Sequence, residues 1–424
     1  MKILHTSDWH LDAKLPPFSR LPEQERFLDW LLETIGRREV DVLVVAGDIF
    51  DSYQPSQRAV RLYMDFLKKL YVRTRQGELQ CRQVVIVGGN HDSPAMLEAA
   101  KNVLEVLHVQ VVAEPRENLE EMIFPVEREG KTEGLILAVP FLPDRWVRKG
   151  TDGDTLEERN RKVLERIRDF YRNITQKAIA WQDAIFQKEQ RKIPLIATGH
   201  LFVAGGKTLD DDGVRNIHQV GNLEKFPAGD FPKELDYIAL GHLHLPQKVA
   251  GEERIQYSGT PIPMGVAESA TPKKVLEISF SAEGRTIETI PVPVFQKICK
   301  ISGDWEQIQS HLRELKQQEE SVWVQVEWLY QEFDPHFYQK LYAEVEGSCV
   351  TLLPPLSRCV ARQVEAETLW RVRTLEELPS EKEVFDRFLA TIAYRDEVRK
   401  SLVETFEEAV LYDDQKRREE SCDC

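Results

Sequence analysis

Seven side chains that can bind a metal ion lie at or just beyond the ends of apolar runs in this sequence. The runs are short and rich in β-branched residues, which is typical of buried strands in a parallel sheet. Ligands of open α/β sheets collect at the carboxyl ends of the strands. The sequence therefore predicts one shared site, formed by Asp8, His10, Asp48, Asn90, His200, His242 and His244.

Two of the predicted strand ends carry pairs of candidates that are two residues apart. Asp8 and His10 form one pair, and His242 and His244 form the other. In an extended backbone, residues i and i+2 point to the same side of the chain. Asp8 and His10 can therefore share one ion, and His242 and His244 lie on one side of the chain.

Histidines are concentrated at the predicted strand ends. The chain has ten histidines, and five of them follow a predicted strand, usually beside a glycine that lets the backbone approach an ion or a phosphate closely. The fifth of these is His91, between Asn90 and Asp92. We expect structural or surface roles for the remaining histidines, which are His5, His108, His218, His311 and His336.

The mixture of carboxylate, imidazole and amide groups indicates a transition-metal site. Such ligands suit Mn, Fe or Zn better than Ca²⁺, which prefers oxygen ligands alone. Because the candidates include no thiolate, two Mn²⁺ ions are favoured, with iron or magnesium as alternatives. Two ions roughly 3.5 to 4 Å apart can clamp both the attacking and the leaving oxygen of a phosphoryl transfer. Asp48, which follows the apolar run 42–46 and Gly47, is the expected bridging ligand.

The order of these motifs resembles that of the calcineurin-like metallophosphoesterases. The resemblance spans roughly residues 1–275, and segments 5–11 and 257–261 are similar to the nuclease subunits of the double-strand-break repair family. It implies an α/β fold, with a β-sandwich core flanked by helices, a small α/β capping domain and C-terminal helices. The motifs that carry it are Asp8-Trp9-His10, Gly47 to Asp51, Gly89 to Asp92, Gly199-His200 and Gly241 to His244.

The resemblance also implies a ligand set for each of two metals. It would place one metal on Asp8, His10, Asp48 and His244. It would place the other on Asp48, Asn90, His200 and His242. Water activated by the metals would then be the nucleophile.

The residues around the third motif have implied roles of their own. His91 would donate to the scissile phosphate or protonate the leaving oxygen, which imidazole groups can do near neutral pH. Asp92 would orient an imidazole from outside the metal ligands. Asp51 would orient a ligand or cap a turn. Protein Ser/Thr phosphatases of the superfamily carry Arg-Gly after the second motif, and here Ser52-Tyr53 stands there, which argues against a phosphoprotein substrate.

Three domains are expected. Residues 1–285 would form the metallophosphoesterase domain, 286–375 the capping domain and 376–424 a pair of terminal helices. These helices could pack back on the protein, whereas the resemblance implies that they dock on the base of a coiled coil in an ATPase partner. Their apolar stripes are Val384, Phe385, Phe388, Leu389 and Ile392, and then Leu402, Phe406 and Val410.

Two earlier helices raise the question of oligomeric state. One begins near Pro55, and the other begins at Ser93-Pro94 with an apolar stripe from Leu97 to Leu107. A core position for both stripes is the simpler interpretation, and a dimer contact is the alternative. We expect a homodimer.

Composition limits the class of protein. The 424-residue chain has a formal net charge of −15, so a polyanionic substrate must be met by a local basic patch or by bound cations. The six cysteines include no C-x-x-C pair, which argues against a disulfide framework. The start of the chain has no signal-peptide core and no apolar run approaches a membrane span, so a cytoplasmic location is expected.

Together with the metal-ligand pattern, the resemblance implies a Mn²⁺-dependent DNA nuclease subunit. It would act with an ATPase partner on DNA ends and hairpins in repair and recombination, as an endonuclease and 3′–5′ exonuclease. One alternative is a phosphoesterase for nucleotides or another small phosphodiester, which would not need the terminal helices. The other is a scaffold of the same fold without chemistry, although such a protein would be expected to lack ligands, and none is missing here.

Overall fold

The structure is a computed structural model with two compact units, Met1–Lys297 and Ile298–Cys424. It describes residues 1–71, 81–147, 155–207, 225–318 and 320–360, together with separate helical residues between Lys382 and Val410. Within the described residues, no helix combines the length and the apolar character needed to cross a membrane.

Strands and helices alternate along most of the first unit. The strands are β1 (Lys2–Thr6), β2 (Lys14–Leu15), β3 (Phe18–Ser19), β4 (Val42–Ala46), β5 (Gln83–Val87), β6 (Val109–Val112), β7 (Ile123–Arg128), β8 (Lys131–Leu137), β9 (Leu195–His200), β10 (Tyr237–Gly241), β11 (Gln247–Val249), β12 (Glu252–Tyr257), β13 (Lys274–Ser281) and β14 (Gly284–Pro291). The helices are α1 (Leu21–Arg38), α2 (Gln57–Tyr71), α3 (Pro94–Leu97), α4 (Lys101–Val106), α5 (Asp144–Val147) and α6 (Leu156–Glu189). Short 3₁₀ helices span Leu119–Met122, Ala228–Asp230 and Ala267–Ala270.

Two six-stranded sheets form the centre of this unit. Their strand orders are β14-β13-β1-β4-β5-β6 and β11-β12-β10-β9-β8-β7. Strands β1, β4, β5 and β6 are parallel to one another, and so are β8, β9, β10 and β12. Parallel pairing brings the carboxyl ends of these strands to one edge of each sheet, where the candidate ligands lie.

The sheets pack face to face, and their central strands, such as β4, are apolar on both faces. Ile3 and Val44 of the first sheet share one core with Ile196 and Ile238 of the second. The next residues along β1 and β4, such as Leu4, point to the opposite side and pack under α1 and α2. The predicted β-sandwich flanked by helices is confirmed.

One predicted helix is broken in two. The sequence predicts a single helix from Ser93-Pro94 to Leu107, whereas the structure has α3 and α4 separated by turns. The break occurs at Glu98, whose carboxylate accepts from the Ala113 N–H at 2.9 Å and pairs with Arg116 at 2.6 Å. These contacts tie the chain to the end of β6 and favour a turn there over continued helix.

The second unit is a small α/β structure with its own core. Its strands are β15 (Lys297–Gly303), β16 (Val322–Tyr330), β17 (Val350–Leu352) and β18 (Leu356–Cys359), and its helices are α7 (Trp305–Lys316) and α8 (Phe337–Val345). Asp304 caps α7 by accepting from the Gln307 N–H. Ile308 and Leu312 of α7 pack against β16.

The two terminal apolar stripes contact each other where they are described. Phe385 and Phe406 are stacked with ring centroids 3.9 Å apart, and Leu389 is buried. Val384, Phe388 and Ile392 lie outside the described residues. The separation of residues 376–424 as a domain of their own stays a prediction.

Buried His5 connects the two sheets of the first unit. Its Nε2 donates to the Leu240 carbonyl at 3.2 Å, so in the neutral ring Nδ1 accepts from the Tyr237 hydroxyl at 3.0 Å. Burial lowers the pKa of His5 to about 3, and the bond to Leu240 offsets only part of this effect. The folded protein therefore holds His5 neutral.

We expect acid to destabilise the protein through His5. Its folded-state pKa of about 3 lies below the ordinary value of 6.5, so the folded state binds fewer protons than the unfolded state. The stabilising contribution is complete above pH 6.5 and is lost as the pH falls from 6.5 towards 3. Urea unfolding at about pH 7.5 and about pH 5 measures this loss.

The matched variant is His5→Gln, which keeps a donor and an acceptor but cannot titrate. It should lose less stability between the two pH values than the wild-type protein does. Equal losses in the two proteins would contradict a role for His5.

Candidate metal centre

The backbone is strained where the candidate ligands leave their strands. Asp8, His10, Asp48 and His242 have positive φ angles of 52°, 43°, 51° and 101°. For residues other than glycine, each such conformation costs about 1 to 3 kcal/mol and persists only when the surrounding structure enforces it. All four are predicted ligands, so more than half of the seven predicted metal ligands lie on strained backbone.

Hydrogen bonds extend the pairing of β1 and β4 into these loops. The Asp8 N–H donates to the Gly47 carbonyl at 2.9 Å, and the His10 N–H donates to the Asp48 carbonyl at 3.0 Å. The Leu11 N–H continues the series beyond them. The two loops therefore run side by side, which fixes Asp8 and His10 beside Asp48.

Two glycines allow the second sheet to approach the first at this point. A Cβ atom on Gly47 would collide with the imidazole of His200, and one on Gly241 would collide with the Ala46 carbonyl oxygen. Gly47 also has a φ of +90°. The sequence predicts that these glycines let the backbone approach an ion or a phosphate. In the structure, Gly47 instead makes room for the His200 ring, and Gly241 makes room for the Ala46 backbone.

Asp48 lies between histidines of both sheets. Its Oδ2 is 3.2 Å from His200 Nε2 and 3.7 Å from His10 Nε2, while its Oδ1 accepts from the His91 N–H at 2.9 Å. The carboxylate is buried. This position is the one expected of a ligand shared by two ions.

The first group of candidate ligands comprises Asp8, His10 and His244, whose ligand atoms lie within 4.8 Å of one another. Asp8 is held at both oxygens, since Oδ1 accepts from the His242 N–H at 2.9 Å and Oδ2 accepts from the Ser7 hydroxyl. The Ser7 hydroxyl oxygen lies 2.8 Å from that of Ser258, in the loop after β12 of the second sheet. The carboxylate therefore cannot turn away from the group.

The second group is centred on the Asn90 side chain. Its Oδ1 lies 3.0 Å from His200 Nε2 and 3.0 Å from His242 Nδ1. His200 Nδ1 donates to the Ala46 carbonyl at 2.9 Å, which leaves Nε2 facing Asp48 and Asn90. The structure thus brings together all seven predicted metal ligands in two groups that meet at Asp48.

The charged side chains buried at this site favour the binding of cations. Both ring nitrogens of His10 are buried without a hydrogen-bond partner in the described structure. Burial alone would lower the pKa of His10, but the carboxylates of Asp51, Asp48 and Asp8 raise it to about 9. Burial and the charge of Asp48 likewise raise the pKa of Asp8. Burial would lower the pKa of His200 as well, but Asp48 above all raises it to about 9. The carboxylates therefore set up a negative potential around the imidazoles, which divalent cations bound by oxygen and imidazole ligands would satisfy.

His91 lies beside the metal groups and is partly exposed. Its Nδ1 donates to the Asp51 carbonyl at 2.9 Å, and its ring centroid is 5.0 Å from that of His10. The Asp51 carboxylate is 3.3 Å from His10 Nδ1. With Nδ1 engaged, Nε2 is the nitrogen of His91 that remains for a bound substrate.

The buried Asp92 carboxylate contacts the backbone. It accepts from the N–H groups of Gly89 at 2.9 Å, Ile49 at 3.1 Å and Phe50 at 2.9 Å. It thereby joins the loop after β5 to the loop after β4. Among its hydrogen bonds in the described structure none reaches an imidazole, so the predicted contact with a histidine has no support, and Asp92 acts on the loops that carry Asp48 and Asn90.

The buried groups that form hydrogen bonds supporting the candidate ligands were not identified from the sequence. Ser7, Ser258 and Glu268 are buried and contact Asp8 or His244 directly or through one hydroxyl. Ser7 and Ser258 lie in the segments 5–11 and 257–261, whose resemblance to nuclease subunits is the signal that could have indicated them. Nothing in the local sequence around Glu268 indicates that it faces a histidine 24 residues away.

Comparisons with known proteins agree with this fold and site. Residues 1–246 match the family described as calcineurin-like phosphoesterase, and residues 294–392 match one described as the type 5 capsule protein repressor C-terminal domain. The protein is therefore a calcineurin-like phosphoesterase, a metal-dependent phosphodiesterase by class.

Relatives define the family more narrowly. The SbcD component of the SbcCD nuclease from Escherichia coli K12 is 36% identical over 394 residues, covering 92% of this chain and 93% of that protein. The SbcD proteins of Rhodobacter capsulatus and Bacillus subtilis are each 33% identical, and the matches cover 69% and 65% of both chains, respectively. The chain belongs to the SbcD family of nuclease subunits.

Manganese should stabilise the protein through Asp48. A ligand at about 100 times its Kd adds about 2.7 kcal/mol per site, so the melting temperature should rise by several degrees and fall again with a chelator. Asp48→Asn should lose most of this rise. Burial alone would raise the pKa of Asp48, but His200 and the neighbouring histidines hold it well below its ordinary value. Without metal, the variant should therefore melt below the wild-type temperature, because this stabilising charge is lost.

Asp29→Asn provides the control. The exposed Asp29 carboxylate pairs with Lys69 on the helical surface, so this variant should show the full rise with manganese. A wild-type response in Asp48→Asn, measured by calorimetry, would contradict the bridging position.

Proposed function

We propose that this chain is a two-metal DNA nuclease subunit that uses Mn²⁺ to hydrolyse phosphodiester bonds. The observation that carries the proposal is the position of Asp48 between two groups of ligands from opposite sheets, 3.2 Å from His200 and 3.7 Å from His10. Membership in the SbcD nuclease family supports DNA as the substrate.

Each metal has a proposed ligand set. One would be held by Asp8, His10, Asp48 and His244, and the other by Asp48, Asn90, His200 and His242. When bound, the two cations would supply a nucleophile from water and neutralise charge on the phosphate. The chain's own residues fix the ligands, since nearly all of them are buried and held by further hydrogen bonds.

His91 is proposed as the general acid. Its Nδ1–H is engaged by the Asp51 carbonyl, which sets the plane of the ring. A protonated Nε2 could then donate to the phosphate or to the leaving oxygen. Because its backbone N–H donates to Asp48 at 2.9 Å, the position of His91 is tied to that of the bridging carboxylate.

The proposed substrate is a DNA end or hairpin, cleaved by endonuclease and 3′–5′ exonuclease activity. The net charge of −15 gives the chain as a whole no attraction for DNA, so the cations and a partner must supply much of the positive field. We propose a cytoplasmic location, at the nucleoid during activity, because the DNA substrate lies there.

The SbcC ATPase is the proposed partner. The relatives are named as one component of the nuclease SbcCD, which supports a second component. The terminal segment 376–424 would dock on the base of the SbcC coiled coil, and 286–375 would cap the nuclease domain 1–285. Contact between Phe385 and Phe406 supports a helical pair as the docking element.

A homodimer is also proposed. Most of the predicted stripe of α2 is buried in the core, including Tyr63 and Phe66. On α4, however, Val103 and Val106 are 66% and 72% exposed and lie three residues apart, on one face of the helix. These two valines support a contact with a second copy of the chain.

Cleavage of a labelled DNA hairpin in Mn²⁺ tests the nuclease proposal, with and without SbcC and ATP. His91→Ala should lower the cleavage rate about 10²- to 10⁴-fold, because general acid catalysis is lost. Two metals should stay bound, since His91 is not a proposed ligand. The exposed His311 offers a matched control, and His311→Ala should cleave at the wild-type rate.

Other outcomes of this assay discriminate between the alternatives. If wild type leaves DNA intact even with SbcC but hydrolyses a small phosphodiester, the metal site stands and the DNA substrate is wrong. If wild type binds no more than one Mn²⁺ at saturation, the two-metal mechanism is wrong.

Truncation tests the docking segment. A chain ended after Ser380 lacks both apolar stripes and should lose binding to SbcC, with unchanged thermal unfolding of the first unit. A chain ended after Val410 keeps Phe385 and Phe406 and should bind as wild type does. Binding can be followed by analytical gel filtration, and wild-type binding by the shorter chain would rule out docking through this segment.

A further inference from the structure

A buried glutamate that has no part in the predicted site contacts one of the proposed metal ligands. Glu268 lies on the 3₁₀ helix Ala267–Ala270 and is fully buried. Its Oε1 is 2.9 Å from Nδ1 of His244. The contact is made through Nδ1, which leaves Nε2 of the ring for a metal.

The second oxygen of Glu268 is surrounded by donors. Oε2 accepts from Lys273 Nζ at 2.5 Å, from the Thr260 hydroxyl at 2.9 Å and from the Met264 N–H at 3.2 Å. Every one of these partners donates, so the environment fits the ionised carboxylate. Lys273 is buried as well, and its positive charge offsets that of Glu268.

This arrangement selects one form of the His244 ring. An ionised carboxylate can only accept, so Nδ1 of His244 carries the proton and Nε2 presents a lone pair. The His244 ring centroid lies 5.1 Å from that of His10, within the first ligand group.

The backbone of His244 is fixed by the same network. Its carbonyl accepts from the Thr260 N–H at 3.2 Å and from Lys273 Nζ at 3.3 Å. Lys273 also donates to the Thr260 hydroxyl at 2.8 Å. Side chain and main chain of this ligand therefore depend on one buried cluster, formed by Thr260, Glu268 and Lys273.

We propose that Glu268 is a positioning residue for the metal centre, which fixes the tautomer and the orientation of His244 and so sets the affinity of one of the two metal sites. The inference rests on the proposed two-metal site. Burying an ion pair costs free energy, and an apolar pair of similar size would often stabilise the fold equally well. The need to orient the His244 ring accounts for the presence of charged groups at this place.

Metal titration tests this role independently of catalysis. Mn²⁺ binding to the full-length chain is followed by electron paramagnetic resonance, which measures free Mn²⁺ and distinguishes a coupled pair of ions from a single one. Glu268→Gln should weaken one of the two sites about 10-fold and Glu268→Ala about 100-fold, the range found when such partners of metal-binding histidines are removed. The other site should keep its affinity, and the signal of the coupled pair should give way to that of single ions.

Glu277→Gln is the matched control. Glu277 is also a buried glutamate beside a cation, since it pairs with Arg38 at 2.9 Å, but it lies on β13 away from the ligands. It should lower the melting temperature without changing either Mn²⁺ affinity. If Glu268→Ala does not fold, the isosteric Glu268→Gln decides the question.

Three results have distinct meanings. A selective loss at one site in Glu268→Gln supports the positioning role. Two wild-type affinities in that variant, with only a lower melting temperature, would overturn it and leave Glu268 as a structural ion pair. Failure of the wild-type chain itself to bind two Mn²⁺ would overturn the proposed function on which the inference rests.

Discussion

Repulsion between buried carboxylates is the constraint on which this structure depends. Asp8 and Asp48 are both withdrawn from water, and the charge of Asp48 raises the pKa of Asp8. Burial would raise the pKa of Asp48 too, but His200 and the neighbouring histidines hold it well below its ordinary value. Such a cluster is stable only when cations balance it and when a rigid frame prevents it from opening. Strained loops, close glycine contacts and hydrogen bonds from behind the ligands are the parts of that frame.

The frame is divided between the two sheets. Asp8, Asp48 and Asn90 leave the ends of parallel strands in the first sheet, while His200 and His242 leave the ends of parallel strands in the second. Because both sheets contribute to one apolar core, their relative position is set by close packing over a large area. The packing of the core, and not the loops alone, therefore determines where the ligands lie relative to one another.

The candidate metal ligands, which the structure brings together, could be picked out from the sequence because their signals are local. A strand, a glycine and a polar residue follow one another directly, so Asp48 and His200 are recognisable without a structure. The supporting residues could not be predicted, because their partners are distant in the chain: Ser7 meets Ser258 across 251 residues. The break between α3 and α4 was missed for the same reason, since it depends on a contact of Glu98 with residues beyond β6.

The division of the ligands between two sheets also bears on how the protein acquires its metal. Under the proposed ligation, neither sheet alone would supply a complete set for either ion, so a strong site would arise only after the sheets have packed. A nascent chain would offer only short fragments such as Asp8-Trp9-His10, whose preference among divalent metals would follow intrinsic affinity and favour copper or zinc over manganese. The packed geometry would then determine which metal binds, and metal binding would follow folding.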